Sequence, residues 1–261
     1  MATTTKALFR GSALLGASPT RAYVSNVAIT SNLATITTNA AHGYAVGDIV
    51  NIVGAHASID GTYVIFTVPT STTFTFVSTT ATLSSAAVSP VGTAICNTAA
   101  AGGTVTNRVI LNGLTTITTG ASHGLVVGDT VAVNIGNTSV DTTMALVIST
   151  PSATTFSYVS TTTTLATASV TQGAWSKVPV LYTVPSSTTT VVSNIIVTNL
   201  NTSAVTFSLM LGGVSIAKDA ALAANSTAYF DLKQVLDTTQ TISASTSLPL
   251  VTVHASGVEI S

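Results

Sequence analysis

A histidine and an aspartate recur at the same spacing in two places of the chain. The heptapeptides are HGYAVGD, residues 42–48, and HGLVVGD, residues 123–129. Imidazole and carboxylate groups bind metal ions and transfer protons, so this motif is the first candidate for chemistry. Its repeated positions are His42, Gly43, Gly47 and Asp48 in the first copy and His123, Gly124, Gly128 and Asp129 in the second.

The motif is short of ligands for a metal site. Such a site usually has three or more protein ligands, and no further His, Cys or Glu is repeated beside the motif. Turn chemistry accounts for it instead, because the glycines permit positive φ and the His and Asp side chains can satisfy backbone groups of the loop. We therefore predict a structural turn motif, with no catalytic, cofactor-binding or metal-binding residue.

Other catalytic signatures are absent from the sequence. It contains no G-x-S-x-G elbow, no P-loop and no dinucleotide fingerprint. Asp60 and Asp141 are equivalent turn residues, and Cys96 has no charged neighbour that would activate its thiol. We predict that the chain is not an enzyme, and a surface hydrolase is the least supported alternative. Aromatic residues that could serve as platforms for a glycan are Tyr44, Tyr63, Phe66, Tyr158 and Trp175.

Charge is scarce in this chain. Charged residues make up 6% of it, and its seven Lys and Arg and eight Asp and Glu give a net charge of −1. The basic residues are scattered singly, which argues against nucleic-acid binding. The mean hydropathy of +0.60 is high, but Thr and Ser interrupt every apolar stretch, so we expect no membrane insertion. A neutral, hydroxyl-rich surface suits a protein that packs against copies of itself or neighbours.

The motif lies inside a tandem duplication of short strand-like segments. Residues 34–38 match 115–119, and residues 69–80 match 151–162. β-Branched and aromatic runs alternate with Gly, Asn, Pro and Asp, which predicts an all-β protein of two tandem small β-barrel or sandwich repeats plus a jelly-roll-like β-sandwich. A hairpin turn is predicted at Gly212–Gly213 and one helical turn at Asp231–Leu236. The predicted parts are an N-terminal arm (1–22), a first repeat (23–96), a linker (97–104), a second repeat (105–172) and a C-terminal β-sandwich anchoring domain (173–261).

The repeats and the C-terminal part resemble modules of tailed-bacteriophage virion proteins. The resemblance lies in ATITTNAAHGYAVGDIVNIVG, in DGTYVIFTVPTSTTFTFVSTT and in LYTVPSSTTTVVSNIIVTNLNTSAVTFSLMLGGV. It implies a structural protein of the minor tail or fibre type, located in the virion and assembled in the host cytoplasm. The implied partners are other virion proteins and copies of itself, with a host envelope glycan as a further candidate, and no cofactor is implied. A head decoration protein and a carbohydrate-binding adhesion module are the alternatives.

The resemblance also suggests how the parts are connected. In such proteins, a strand like Lys6–Gly11 leads almost directly into the LYTVP strand, whereas here both repeats intervene. We therefore expect the N-terminal arm to complete the C-terminal sandwich, with the repeats inserted and displayed as an arm. Binding would then fall to loops where the copies differ, such as the loop with His56 in the first copy and Asn137 in the second.

Overall fold

The computed structural model is an all-β protein, as the sequence predicts. It describes residues 3–12, 20–97, 101–247 and 250–261, in which strands are joined by turns and loops. These ranges contain no helix that could span a membrane.

The strands are named in chain order. The N-terminal strand is β1 (Thr3–Ser12), and the first repeat contains β2 (Thr20–Thr30), β3 (Leu33–Thr38), β4 (Ile49–Val53), β5 (Gly61–Val64), β6 (Thr67–Thr70), β7 (Thr73–Val77) and β8 (Leu83–Asn97). The second repeat contains β9 (Gly102–Leu111), β10 (Leu114–Thr119), β11 (Thr130–Asn134), β12 (Thr142–Leu146), β13 (Ser149–Ser152), β14 (Thr155–Val159), β15 (Thr164–Ser169) and β16 (Ala174–Lys177). The C-terminal part contains β17 (Val180–Thr183), β18 (Thr189–Asn199), β19 (Val205–Leu211), β20 (Val214–Leu222), β21 (Thr227–Leu236), β22 (Thr241–Thr246) and β23 (Val251–Ile260).

The chain divides into two compact units. One contains the two repeats, β2–β16, and the other contains β1 together with β17–β23. The N-terminal strand is therefore grouped with the C-terminal strands, and the repeats lie between them in sequence.

The two repeats have the same sheet topology. The strand orders are β5-β4-β8-β2-β3-β7-β6 and β12-β11-β16-β9-β10-β14-β13. The long strand β8 has two counterparts, because β15 and β16 both pair with β9. The hairpin between β2 and β3 turns at Ser31 and Asn32, and that between β9 and β10 turns at Asn112 and Gly113, all with positive φ. Such two-residue turns match the twist of the strands that they join.

Each repeat encloses its own apolar core. The alternation of buried and half-buried residues along β3 and β10 sends Ile36 and Ile117 inward, where they pack with Phe74 and Phe156 of the neighbouring strands. Burial of such a side chain contributes about 1.5–3 kcal/mol. Because each repeat has a core of this kind, each is a module that does not depend on the other for its interior.

The two repeats also contact each other within their unit. A Cβ atom on Gly47 would lie 2.5 Å from the Cα atom of Gly102, and one on Gly136 would lie 2.8 Å from Cγ1 of Val77. The backbone of each repeat therefore approaches the other closely at residues that have no side chain.

The other unit is a jelly roll. Its two sheets have the orders β1-β23-β18-β21 and β17-β22-β19-β20. When its eight strands are counted along the chain, these orders read 1-8-3-6 and 2-7-4-5, the double Greek key of a jelly roll. The core between the sheets includes Ile195 and Val253 from one sheet and Leu209 and Ile242 from the other.

The N-terminal strand is an integral part of this jelly roll. Strand β1 pairs with β23 along its length, Leu8 lies in the core cluster, and Phe9 packs against that cluster. The two repeats are therefore inserted between the first and second strands of the sandwich, as expected from the sequence. Residues 1, 2 and 13–19 of the predicted arm lie outside the described residues.

The structure corrects several of the predicted boundaries. The first repeat begins at Thr20 and ends at Asn97, and β9 already begins at Gly102, within the predicted linker, of which residues 98–100 are outside the described residues. The predicted C-terminal domain begins too early, because Ala174–Lys177 pair with β9 and β11 of the second repeat. Gly173 marks a close approach to Ile135 inside the repeat and not a domain boundary.

The predicted helical turn at Asp231–Leu236 is wrong. These residues lie in β21 and pair with β18. An isolated helix of one and a half turns is unstable, whereas the strand gains a ladder of hydrogen bonds with its neighbour. The hairpin turn predicted at Gly212–Gly213 is present between β19 and β20, with positive φ at both glycines.

Candidate functional site

The first His-Gly-Asp motif forms the loop between β3 and β4. Gly43 and Gly47 have φ of +71° and +87°. The Nδ1 atom of His42 accepts a hydrogen bond from the Tyr44 N–H at 3.0 Å, and Oδ2 of Asp48 accepts one from the Ala45 N–H at 2.8 Å. Both polar side chains are buried. They therefore satisfy backbone groups of the loop that carries them.

The second motif has the same geometry. Gly124 and Gly128 have φ of +61° and +97°, Nδ1 of His123 accepts from the Leu125 N–H at 2.9 Å, and Asp129 accepts from the next N–H at 3.0 Å. The Nε2 atom of His123 also lies 3.1 Å from two carbonyl oxygens of the β13–β14 hairpin. The eight motif positions thus form two equivalent loops held by the same hydrogen bonds to their own backbone, but Nε2 of His42 has no hydrogen-bond partner among the described residues.

The two aspartates differ in the side chain that they meet. Strand pairing places Cys96 opposite Val50 in the first repeat and Lys177 opposite the equivalent Val131 in the second. The Sγ atom of Cys96 lies 3.6 Å from Oδ2 of Asp48, whereas Nζ of Lys177 lies 2.7 Å from Oδ1 of Asp129. The same carboxylate position therefore has a thiol partner in one copy and an ammonium partner in the other.

The thiol of Cys96 is not arranged as a nucleophile. Burial, followed by the negative charge of Asp48, raises the pKa of Cys96 far above its ordinary value. The thiolate is the reactive form, so a buried thiol beside a carboxylate is inert. Cys96 acts instead as a weak hydrogen-bond donor inside the core.

Each histidine contacts an equivalent phenylalanine, Phe74 or Phe156, but its second aromatic neighbour comes from a different position in each repeat. In the first repeat, the ring of Tyr44 lies 4.7 Å from that of His42, and its hydroxyl donates to the carbonyl of Ala94. In the second repeat, Leu125 replaces the tyrosine. Trp175 occupies the strand position equivalent to Ala94, and its ring lies 6.3 Å from that of His123. In each repeat one of these two positions is thus aromatic and the other aliphatic.

The loop in which the copies differ performs the same task in both. The Nδ1 atom of His56 accepts from the Ser58 N–H, and Oδ1 of Asn137 accepts from the Ser139 N–H. The carboxylate that follows also binds this loop in both copies, through Asp60 and Asp141. The exchange of His for Asn is therefore a local turn equivalence, and it gives no support to the expectation that this loop is a binding site.

Burial distinguishes Asp141 from an ordinary surface carboxylate. Its Oδ1 atom accepts from the Ile135 N–H at 2.7 Å, and desolvation raises its pKa from 3.8 to about 6 although the N–H groups of the loop act in the opposite direction. The carboxylate accepts hydrogen bonds from the backbone of its own loop. Its perturbed pKa is thus explained by the fold.

The residues considered as glycan platforms are mostly interior. Tyr44, Tyr158 and Trp175 are buried in the cores of the repeats, and the half-buried ring of Tyr63 stacks on a core phenylalanine at 3.8 Å. Phe66 is also half-buried. The exposed aromatic rings that sequence reasoning missed are Tyr23 and Tyr229, and only the outward parity of their strand positions could have indicated them.

The residues that the structure describes form neither a metal site nor a cleft with paired carboxylates. Within these residues, no three His, Cys, Asp or Glu side chains are grouped so that they could hold a metal ion. A shallow depression of about 340 Å³ on the jelly roll is lined by Ser187–Thr189, Asp237 and Thr238. Its lining has one carboxylate, whereas glycoside hydrolysis ordinarily uses two.

Glu259 takes part in a polar cluster of the jelly roll. It accepts from Nζ of Lys6 at 2.7 Å and from the hydroxyl of Tyr182 at 2.6 Å, which lower its pKa. These bonds connect the first, second and last strands of the sandwich. The cluster fastens strands together.

Comparison with known proteins does not assign the chain to a family. No family model matches it, and no curated protein matches it.

Proposed function

We propose that this chain is a non-enzymatic structural component of a tailed-phage virion, of the minor tail or fibre type. Its jelly roll would anchor it, and its two repeats would be displayed outward. The proposal rests on the resemblance of the repeats and of the C-terminal strands to phage virion modules. Jelly rolls also occur in viral capsid proteins, although a shared architecture alone supports only an analogy.

The observation that carries the proposal is the insertion of a duplicated β-module into one loop of a jelly roll. Strand β1 and β17–β23 form one core, and β2–β16 form two more, so the inserted modules have cores of their own. Such insertions extend or present surface. A structural protein has this construction when one part holds it in place and another part projects.

The chemistry of the motif agrees with a structural role. The histidine Nδ1 atom and the aspartate of both copies accept hydrogen bonds from their own loops. The low charge of the chain adds to this argument, since hydroxyl-rich surfaces can be covered by neighbouring subunits without the desolvation cost of charges. The interior positions of Tyr44, Tyr158 and Trp175 remove the support for the adhesion alternative that those residues gave.

The test is to find the chain in purified phage particles. Particles from a phage that encodes it are purified, and quantitative mass spectrometry counts its copies against the major capsid protein. A fixed copy number per particle that is a multiple of the rotational symmetry of the tail is expected for a tail component. Antibody labelling by electron microscopy should mark the tail. Absence from particles would contradict the proposal, and label on the capsid would replace the tail role by head decoration.

A further inference from the structure

One face of the first repeat is buried although it does not line the core of that repeat. Along β4, Val50 and Ile52 belong to the core, so Ile49 and Asn51, which alternate with them, point to the opposite side of the sheet. Both are nevertheless buried. Ile95 of β8, which pairs with Asn51, is also buried outside the core cluster. This side of the sheet is therefore covered by another part of the chain.

The equivalent strands of the second repeat are buried on the same side. Val131 and Val133 of β11 line the core, whereas Thr130 and Ala132 alternate with them and are buried on the opposite side of the sheet. Ser176 of β16, which pairs with Ala132, is buried there too. Strand β5, the edge strand next to β4 in the first repeat, is in contact with both β11 and β16. The first repeat therefore lies directly against these two strands of the second.

Two further segments of the first repeat contact the second. In the motif loop, a Cβ on Gly47 would lie 2.5 Å from the Cα atom of Gly102 and 2.6 Å from the backbone N atom of Gly103. At the end of β7, Val77 lies against Gly136 in the loop that follows β11. The motif loop, β5 and the end of β7 thus all contact the second repeat. Two bodies that touch through several segments cannot turn about any single one of them.

The equivalent positions of the second repeat have no such contact. Gly128 has a φ of +97°, close to the +87° of Gly47, but a Cβ on Gly128 would meet no described atom within 4 Å. Val159 pairs with β10 as Val77 pairs with β3, yet Val159 is 67% exposed and Val77 only 4%. Each pair therefore shares its local backbone and differs in the contact between the repeats.

We infer that the two repeats hold one fixed orientation relative to each other and move as a single rigid body. The contact at Gly47 carries most of this inference, because backbone meets backbone there and no side chain can yield by changing its rotamer. The motif glycine of the first repeat thus forms a turn and also docks the second repeat, whereas Gly128 forms only the turn. A partner that touches both repeats then meets a preorganised surface. The inference does not rest on the proposed virion role.

The first experiment measures amide residual dipolar couplings of the full chain in a weakly aligning medium. Couplings from β2–β8 and from β9–β16 should fit one alignment tensor with the relative orientation of the structure. Gly47→Ala should no longer fit that orientation, because its Cβ meets the backbone of Gly102. The matched control Gly128→Ala has the same positive φ and should still fit it. Separate tensors for the unaltered chain would overturn the inference, as would an unchanged orientation in Gly47→Ala.

The second experiment tests the contact at a position that is not in the motif loop. Val77 lies outside the core cluster of its repeat, so Val77→Asp places a charge between the repeats and not in that core. The same couplings should then lose the common orientation, while the chemical shifts of Ile36 and Phe74 show that the core of the first repeat is intact. Val159→Asp, at the exposed counterpart, should keep the common orientation. Retention of that orientation in Val77→Asp, or its loss in Val159→Asp, would overturn the inference.

Discussion

The two repeats of this chain share a backbone but fill it with different pairs of side chains. Beside the buried histidine, Tyr44 and Ala94 of the first repeat correspond to Leu125 and Trp175 of the second. Cys96 beside the first motif aspartate corresponds to Lys177 beside the second. The loop hydrogen bonds of the motif are the same in both. The features that stay constant are thus those that fix the loop, and the features that vary are the side chains packed around it.

This comparison bears directly on function. A binding site copied by duplication would keep its ligand-facing atoms and vary its support. Here Nδ1 of each histidine and Oδ2 of each aspartate accept hydrogen bonds from their own loop, and the side chains packed around the loop differ between the copies. The motif therefore marks an architectural unit.

The largest difference in stability is expected at Trp175, which occupies the position equivalent to Ala94 of the first repeat. Replacement by alanine should lower the free energy of unfolding of the second repeat by about 3–5 kcal/mol, because the indole is buried and the equivalent Ala94 has no bulk to lose. Hydrogen exchange measured by mass spectrometry on the full chain should show faster exchange in β9–β16. The double variant Trp175→Ala with Leu125→Tyr should recover part of the loss. Equal acceleration in the first repeat, or no recovery, would contradict the paired exchange.

The next largest effect is the pH dependence carried by Asp141. Its folded-state pKa of about 6 lies above its ordinary value of 3.8, so between these values the folded state binds more protons than the unfolded state. Stability of the second repeat should therefore fall as pH rises from about 4 to 7, by about 2 kcal/mol. Exchange rates in β11–β12 measured across this range, after correction for intrinsic exchange, check it. The variant Asp141→Asn should remove the dependence, and a dependence that persists in the variant would refute the assignment.

A smaller effect is expected from one buried hydroxyl. Tyr158 donates to the carbonyl of Val140 at 2.5 Å, and its counterpart Phe76 has no hydroxyl. Tyr158→Phe should cost about 1 kcal/mol of stability, the typical worth of a hydrogen bond. Equilibrium unfolding in urea and local exchange near β14 measure it. The reciprocal Phe76→Tyr should stabilise nothing, because Tyr63 stacks on that ring, and a gain of stability there would contradict this difference.

The smallest effect is expected at the partner of Asp129. Lys177→Met should cost less than about 1 kcal/mol, because the ammonium is partly exposed and water screens the pair. The cost should shrink further in 1 M salt, as measured by thermal unfolding at two ionic strengths. Lys6→Met, which removes the ion pair with Glu259 in the jelly roll, is the control and should leave exchange in the second repeat unchanged. A salt-independent loss would assign Lys177 a packing role instead.

Much of this architecture could be predicted from the sequence because it is local. Alternation in segments such as Leu33–Thr38 and the Gly212–Gly213 turn fix strands and hairpins through the period of two and through positive φ. The place of Leu8 in the sandwich followed from resemblance. Trp175 could not be assigned to the second repeat, because only its pairing with β9 and β11, which are distant in sequence, determines that.

The same limit explains the errors at the candidate sites. The burial of Tyr44 and Tyr158 depends on how the sheets curl, which no local pattern encodes. The residues of Asp231–Leu236 are compatible with a helix, but the segment forms a strand because it pairs with β18. The turn role of the motif was predictable because its glycines and its aspartate act within a few residues of the chain.

The central claim is that the repeated motif builds a turn and not a binding site, and the tautomers of its two histidines test this most directly. In both repeats Nδ1 accepts a backbone N–H, so the ring proton must lie on Nε2 when the ring is neutral. Long-range ¹⁵N NMR of the full chain at pH 8 should show His42 and His123 as Nε2–H tautomers, unchanged when Zn²⁺ or Ca²⁺ is added. A proton on Nδ1, or a metal-induced shift of either ring, would contradict the account.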